Sequence, residues 1–203
     1  MSIFDSLRRA AGSAARKEAV KAVNNAAQTA ALNVGRGKNR SESFTFASLP
    51  ETVAQLQALP EASLDSPFKT TALTILALCR YEQNPENTIA MLNFLKGPAE
   101  VSGYEKQFIR ERLRERGYIP RSYLSGATPQ NGYQPTQPYT VVVSENPYSF
   151  DNENWATLYV TSGGADNPRT IKLRKKPSTG QWFLNDIQCL SDIRLPVADD
   201  PWA

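Results

Sequence analysis

The sequence predicts an α+β fold, with a helical N-terminal half packed on a four-stranded antiparallel β-meander. Between Leu49 and Gly117, apolar residues recur at helical spacing and are punctuated by capping residues. From Tyr139 onward the chain turns to short runs of β-formers divided by turn residues. The links between those runs fall short of the dozen or more residues that a parallel crossover needs, so the pairing is antiparallel.

In chain order, residues 1–40 read as a flexible, alanine-rich cationic arm ending in a Gly/Lys/Asn/Ser linker. Eight Lys/Arg stand there against Asp5 and Glu18, a net charge of +6. Alanine favours helix but offers little surface to bury. Residues 41–203 read as one domain, with 15 basic and 18 acidic groups and a net charge of −3. Its helices lie within 49–117. Leu49-Pro50-Glu51 opens a short segment with Val53 and Leu56 at i, i+3 spacing. Ser66-Pro67 supplies an N-cap and a first-turn proline for FKTTALTILALCRYEQ, which is apolar nearly all round and so is the expected central helix. Asn84-Pro85-Glu86 repeats that start, and Lys96-Gly97-Pro98 ends the helix. Ser102 and Glu105 have capping-box spacing and open a charged helix expected to stop at Gly117.

The stretch 118–138, rich in Pro, Gly and Tyr, reads as a long loop, either functional or packed as a cover. Strands are expected at 139–143, 155–160, 169–176 and 181–186, within a meander over 139–187, before a C-terminal tail over 188–203. Helices followed by a meander ending in GQWFLND give an order similar to NTF2-like folds.

The body also resembles a known family. SPFKTTALTILALCRYEQNPENTIAMLNFLKGP, GATPQNGYQPTQPYTVVVSENPYS, SGGADNPRTIKLRKK with QWFL, and the ending DDPWA resemble an uncharacterised family of bacterial proteins with a domain of unknown function, many from gut Firmicutes. The resemblance implies a soluble bacterial protein. It carries no activity, ligand or catalytic residue.

Composition removes several chemistries. The chain contains no histidine, so Ser-His-Asp and Cys-His catalysis within it are excluded. Two distant cysteines, Cys79 and Cys189, do not make a usual tetrahedral zinc site, and Cys79 in its apolar run reads as a buried thiol. No cofactor or metal is expected. Charges break the first 35 residues, no stretch approaches a membrane span, and a cytoplasmic location is the expectation. A paired nucleophile and base, or two converging carboxylates, would argue for an enzyme. Glu105 with Asp186 can be named, but no spacing brings them together, and a non-catalytic binding or adaptor protein is expected.

Three surfaces remain as candidates. In the arm, Ile3, Phe4 and Leu7 share a helical face with Ala11 and Ala14, while Arg8 and Arg9 flank it. Such a stripe can lie peripherally on an anionic membrane, with about 5 kcal/mol from its three large side chains before ordering costs. MSIFDSLRRA also resembles the opening helix of phage-shock-protein-A-like membrane proteins. In SGGADNPRTIKLRKK no GK[ST] follows Gly163-Gly164, so a hairpin turn is favoured over a phosphate loop. Alternation there places Lys172, Arg174 and Lys176 on one face, a solvated strand face or an anion or nucleic-acid platform with Trp182 or Tyr159 for stacking. The acidic body disfavours nucleic acid. Third, Tyr118, Tyr123, Tyr133 and Tyr139 either line a groove for a peptide or small ligand or pin the loop over the sheet. Trp202 raises the same choice between docking and display. The arginines at 110, 112, 114 and 116 are interspersed with Glu111 and Glu115 and read as a solvated helix side.

Overall fold

The computed structural model describes residues 39–202. A five-stranded, wholly antiparallel sheet runs in chain order, β1 (Ser41–Phe46), β2 (Tyr139–Ser144), β3 (Trp155–Val160), β4 (Arg169–Lys175) and β5 (Trp182–Gln188). Against it lie helices α1 (Val53–Gln57), α2 (Pro67–Cys79), α3 (Pro85–Lys96), α4 (Gly103–Leu113) and α5 (Tyr118–Arg121). The α+β class is therefore correct, but the sheet has five strands, not four.

The additional strand, SESFTF, pairs along its whole length with β2, from Ser41 opposite Ser144 to Phe46 opposite Tyr139. Only Phe44 and Phe46 are buried in the core, and Ser41, Ser43 and Thr45, which alternate with them, face out. Two apolar residues in a polar hexapeptide give a faint period-two signal. The edge strand forms because β2 supplies a partner nearly a hundred residues later.

One face of the sheet presents Val141, Val143, Ala156, Leu158, Val160, Ile171, Leu173 and Leu184, all buried. Across it lies α2, in which every residue except Lys69 is buried. Its buried threonines satisfy their own hydroxyls: Thr71 donates to the Pro67 carbonyl at 2.9 Å, Thr74 to Thr70 at 2.8 Å, and Thr70 to the Trp182 carbonyl of β5 at 2.7 Å. The caps fall where the sequence places them. Ser66 and Asn84 accept from the first turns of α2 and α3, and Ser102 and Glu105 close a reciprocal capping box on α4. Helix α4 stops at Leu113, short of the expected Gly117, because Arg114 swings to ψ 117° and Glu115 takes a left-handed φ of 58°.

Residues 118–138 are not a bare loop. They contain α5 and a 3-10 turn at Pro129–Asn131, and they insert into the sheet. Strands β2 and β3 pair only at Val143–Val160 and Ser144–Tyr159, and Leu124 bridges to Val141 where they part. Gly163 and Gly164, between β3 and β4, make this insertion possible. The Gly163 amide donates to the Ser122 carbonyl at 2.9 Å, and a Cβ on Gly163 would sit 1.9 Å from the Ala127 carbonyl oxygen. A Cβ on Gly164 would lie 1.9 Å from the Tyr133 hydroxyl. Both lie in the expected turn that joins antiparallel β3 and β4, but neither has positive φ, so glycine is needed there for close approach and not for a left-handed backbone.

Candidate functional site

Strand β4 divides its side chains as its alternation requires, with Ile171 and Leu173 in the core and Lys172 and Arg174 on the opposite face. The cationic row is divided between two hollows. Lys172 lies opposite Asp186 and shares a shallow hollow with Asp186, Asn185, Thr157 and Trp155. Arg174 and Lys176 instead border a separate cleft of about 320 Å³ at the end of the β4–β5 hairpin, together with Lys175 and Lys96.

Each wall of that cleft has a local cause. The Arg174 guanidinium lies over the Trp155 ring, 5.2 Å from its centroid, and the Lys175 ammonium lies 5.7 Å from the centroid of Trp182. These stacks hold two cations at the rim while leaving their charge uncompensated. Phe183 is set against the end of α3, where Gly97 adopts φ 61°. A Cβ there would lie 2.4 Å from the Phe183 ring, so only glycine lets the ring approach the backbone. Lys96 comes from the last turn of α3, is 8% exposed, and donates to Glu105 at 2.5 Å and to the Asn185 carbonyl at 3.4 Å.

That ion pair neutralises Lys96. Burial works to raise the Glu105 carboxyl, but hydrogen bonds from Lys96 and from the Ser102 amide and hydroxyl outweigh it and hold the group below its ordinary range. Arg174, Lys175 and Lys176 make no salt bridge among the described residues, so three cations remain around an aromatic wall. Lys96 and Lys175 had no sequence signal: one ends a helix, and strict alternation points the other inward. Past Leu173, however, β4 has outrun the core, and Lys175 reaches the rim.

Trp155 supplies the ring beside the basic row. Tyr159 accepts from Asn146 at 2.8 Å, and Trp182 packs edge-on to Phe150 at 6.1 Å. The four tyrosines of the 118–139 region do not converge on an open groove. Tyr118 and Tyr133 stack at 5.3 Å and are buried, as is Tyr123, while Tyr139 is half-buried on β2. Tyr123 donates to the Cys189 carbonyl at 2.6 Å, and Tyr133 to Arg194 at 2.8 Å. Burial raises the Tyr133 phenol to about 12 and raises Tyr123 as well. The phenols are neutral pins joining the covering segment to the tail.

Cys79 and Cys189 are free and buried, and burial pushes both thiols up to about 12, which leaves them poor nucleophiles. Glu105 and Asp186 do line one groove, between α4 and β5, but Glu105 is held ionised by Lys96 and the cap. Among the described residues, no group of three His, Cys, Asp or Glu is placed to hold a metal, and no helix is long and apolar enough to cross a membrane. Trp202 is 93% exposed. Ile3, Phe4, Leu7, Arg8 and Arg9 lie outside the described residues.

Fold and site together define an α+β domain with a filled core and a basic, aromatic-walled cleft at one hairpin end. The chain belongs to the family described as a domain of unknown function, DUF6935, which matches residues 48–197. No curated protein and no solved structure matches it.

Proposed function

We propose that this is a non-catalytic binding protein that holds an anionic group of its ligand in the cleft between the end of α3 and the β4–β5 hairpin. One observation carries the reading: Arg174, Lys175 and Lys176 surround the cleft without carboxylate partners, while neighbouring Lys96 is already neutralised by Glu105. Unpaired cations over aromatic faces suit a phosphate or carboxylate, with Arg174 able to bind two oxygens at once. The body is net acidic, so the attraction is local, which favours a compact anion over a long polyanion such as nucleic acid.

The test is titration with inorganic pyrophosphate at low salt, followed by the fluorescence of Trp155 beneath Arg174. The expected result is saturable binding that the double variant Arg174→Gln/Lys176→Gln weakens at least tenfold. Absence of binding by the wild type, or equal binding by the variant, overturns the reading. Binding to single-stranded oligonucleotide at low salt, with none to pyrophosphate, would replace it with the nucleic-acid platform.

A pocket for catalysis or small-ligand binding of the NTF2-like kind needs room between helices and sheet. Side chains of α2 fill the space between that helix and the sheet, and in the groove between α4 and β5 the Glu105 carboxylate is already paired with Lys96, which weighs against this alternative. Weak peripheral attachment to an anionic membrane through residues 1–17 rests on the amphipathic sequence and the +6 charge of residues 1–40. Co-sedimentation with anionic liposomes, comparing the full chain with one starting at residue 41, tests it; equal, negligible binding removes it. The bacterial cytosol is the setting proposed for both activities, on the family resemblance.

A further inference from the structure

A second basic surface lies on α4. Lys106 and Arg110 lie four residues apart on one face of α4, and Arg114, which caps the helix with its amide on the Arg110 carbonyl, continues the row, with a rise of about 6 Å between neighbours. The row forms one wall of a groove of about 800 Å³, whose other wall is the turn from α2 into α3. Half-buried Tyr81 and Ile89 give the groove an apolar floor, so it offers both charge and contact area.

The row is not neutralised from within. Among the described residues, Lys106 and Arg110 make no salt bridge. Arg114 meets only its neighbour Glu115, at 4.0 Å with both side chains at least 80% exposed, a contact worth little in water. The nearby carboxylates are turned to other tasks: Glu82 accepts from Arg121 at 3.1 Å, Glu51 from Arg80 at 2.9 Å, and Glu111 from Gln107 at 2.6 Å. Glu86 is the one acid lining the groove, against three cations.

We propose that this groove docks an acidic peptide segment of a partner protein, with carboxylates seated on the Lys106–Arg110–Arg114 row and apolar side chains against Tyr81 and Ile89. A repeat of about 6 Å matches acids four apart on a helix, and is close to the 6.6–6.8 Å of alternate residues in an extended chain. The complementarity is local, since the body as a whole is net acidic and does not attract acidic chains over its general surface. Glu86 on the facing wall sets a position where the partner avoids an acid.

The test uses a fluorescein-labelled glutamate-rich peptide of about ten residues and anisotropy at low and near-physiological salt. The wild type is expected to bind, with affinity falling as salt rises. Lys106→Gln/Arg110→Gln/Arg114→Gln is expected to weaken binding at least tenfold with an unchanged melting curve, because all three side chains are exposed. Glu86→Gln is expected to tighten binding severalfold. The cleft variant Arg174→Gln/Lys176→Gln is expected to leave it unchanged, which separates this groove from the pyrophosphate cleft. No binding by the wild type, equal binding by the triple variant, or stronger binding to a single-stranded oligonucleotide of equal length overturns the proposal.

Discussion

Gly163 carries more of the structure than its size suggests. Its missing side chain lets the Ala127 carbonyl approach to where a Cβ would lie 1.9 Å away, and both partners are backbone, so neither can swing aside. Gly163→Ala is expected to lower stability by about 2–3 kcal/mol, read from urea unfolding followed by tryptophan fluorescence. Gly132→Ala, where a Cβ meets nothing within 4 Å but φ is 64°, is expected to cost only about 1 kcal/mol. Equal effects would remove the close-packing account. Both glycines of the pair were visible in the sequence as breakers, but their role was not, because Ala127 comes from a segment more than thirty residues away. Glu105 is the other residue with a measurable consequence. Its folded-state affinity for protons is lower than in the unfolded chain. Its stabilisation is therefore present above the unfolded value of about 4.3 and lost as pH falls through the lower folded value. Between about pH 6 and about pH 3 the urea midpoint of the wild type should fall more steeply than that of Glu105→Gln. Parallel curves would mean that the pair with Lys96 contributes nothing.

Among the elements, α4 and the covering segment are held in opposite ways. Helix α4 buries only Ile109 and Leu113 of its eleven residues, so its start depends on the Ser102–Glu105 box. Ser102→Ala should cost about 1 kcal/mol in thermal unfolding. The box was legible because capping chemistry is local, a matter of two side chains three residues apart. The covering segment 118–138 is held by distant partners. Tyr123→Phe leaves the buried Cys189 carbonyl without its 2.6 Å donor and is expected to cost about 1–3 kcal/mol, whereas Tyr139→Phe, on a half-buried ring, should be nearly neutral. Denaturation midpoints for the two variants that coincide would show that the Tyr123 hydroxyl is not a pin. Nothing local marks those tyrosines as inward, since their partners are backbone carbonyls of the tail. For the same reason β1 was hidden: its evidence is the register with β2 and not its own composition.

At the scale of the molecule, charge is sorted by place. The first 40 residues carry +6 and the rest −3, yet the acidic body gathers unpaired cations at the β4–β5 hairpin end and along α4. Binding at either place should weaken with salt, but modestly, because few cations act at each. A steep salt dependence in the pyrophosphate titration would point to a longer polyanion spanning more of the surface. The sequence by itself determined what depends on neighbours along the chain: the α+β class, the caps, the nearly all-buried helix α2, the alternation of β4, and the exclusion of histidine chemistry. Only the tertiary structure decided which groups meet across the chain. It brought Lys96 and Lys175 to the cleft with Arg174 and Lys176, parted Lys172 from them, and turned three tyrosines inward. Those outcomes depend on contacts between distant segments, whose geometry is fixed by packing and leaves no periodic mark in the sequence.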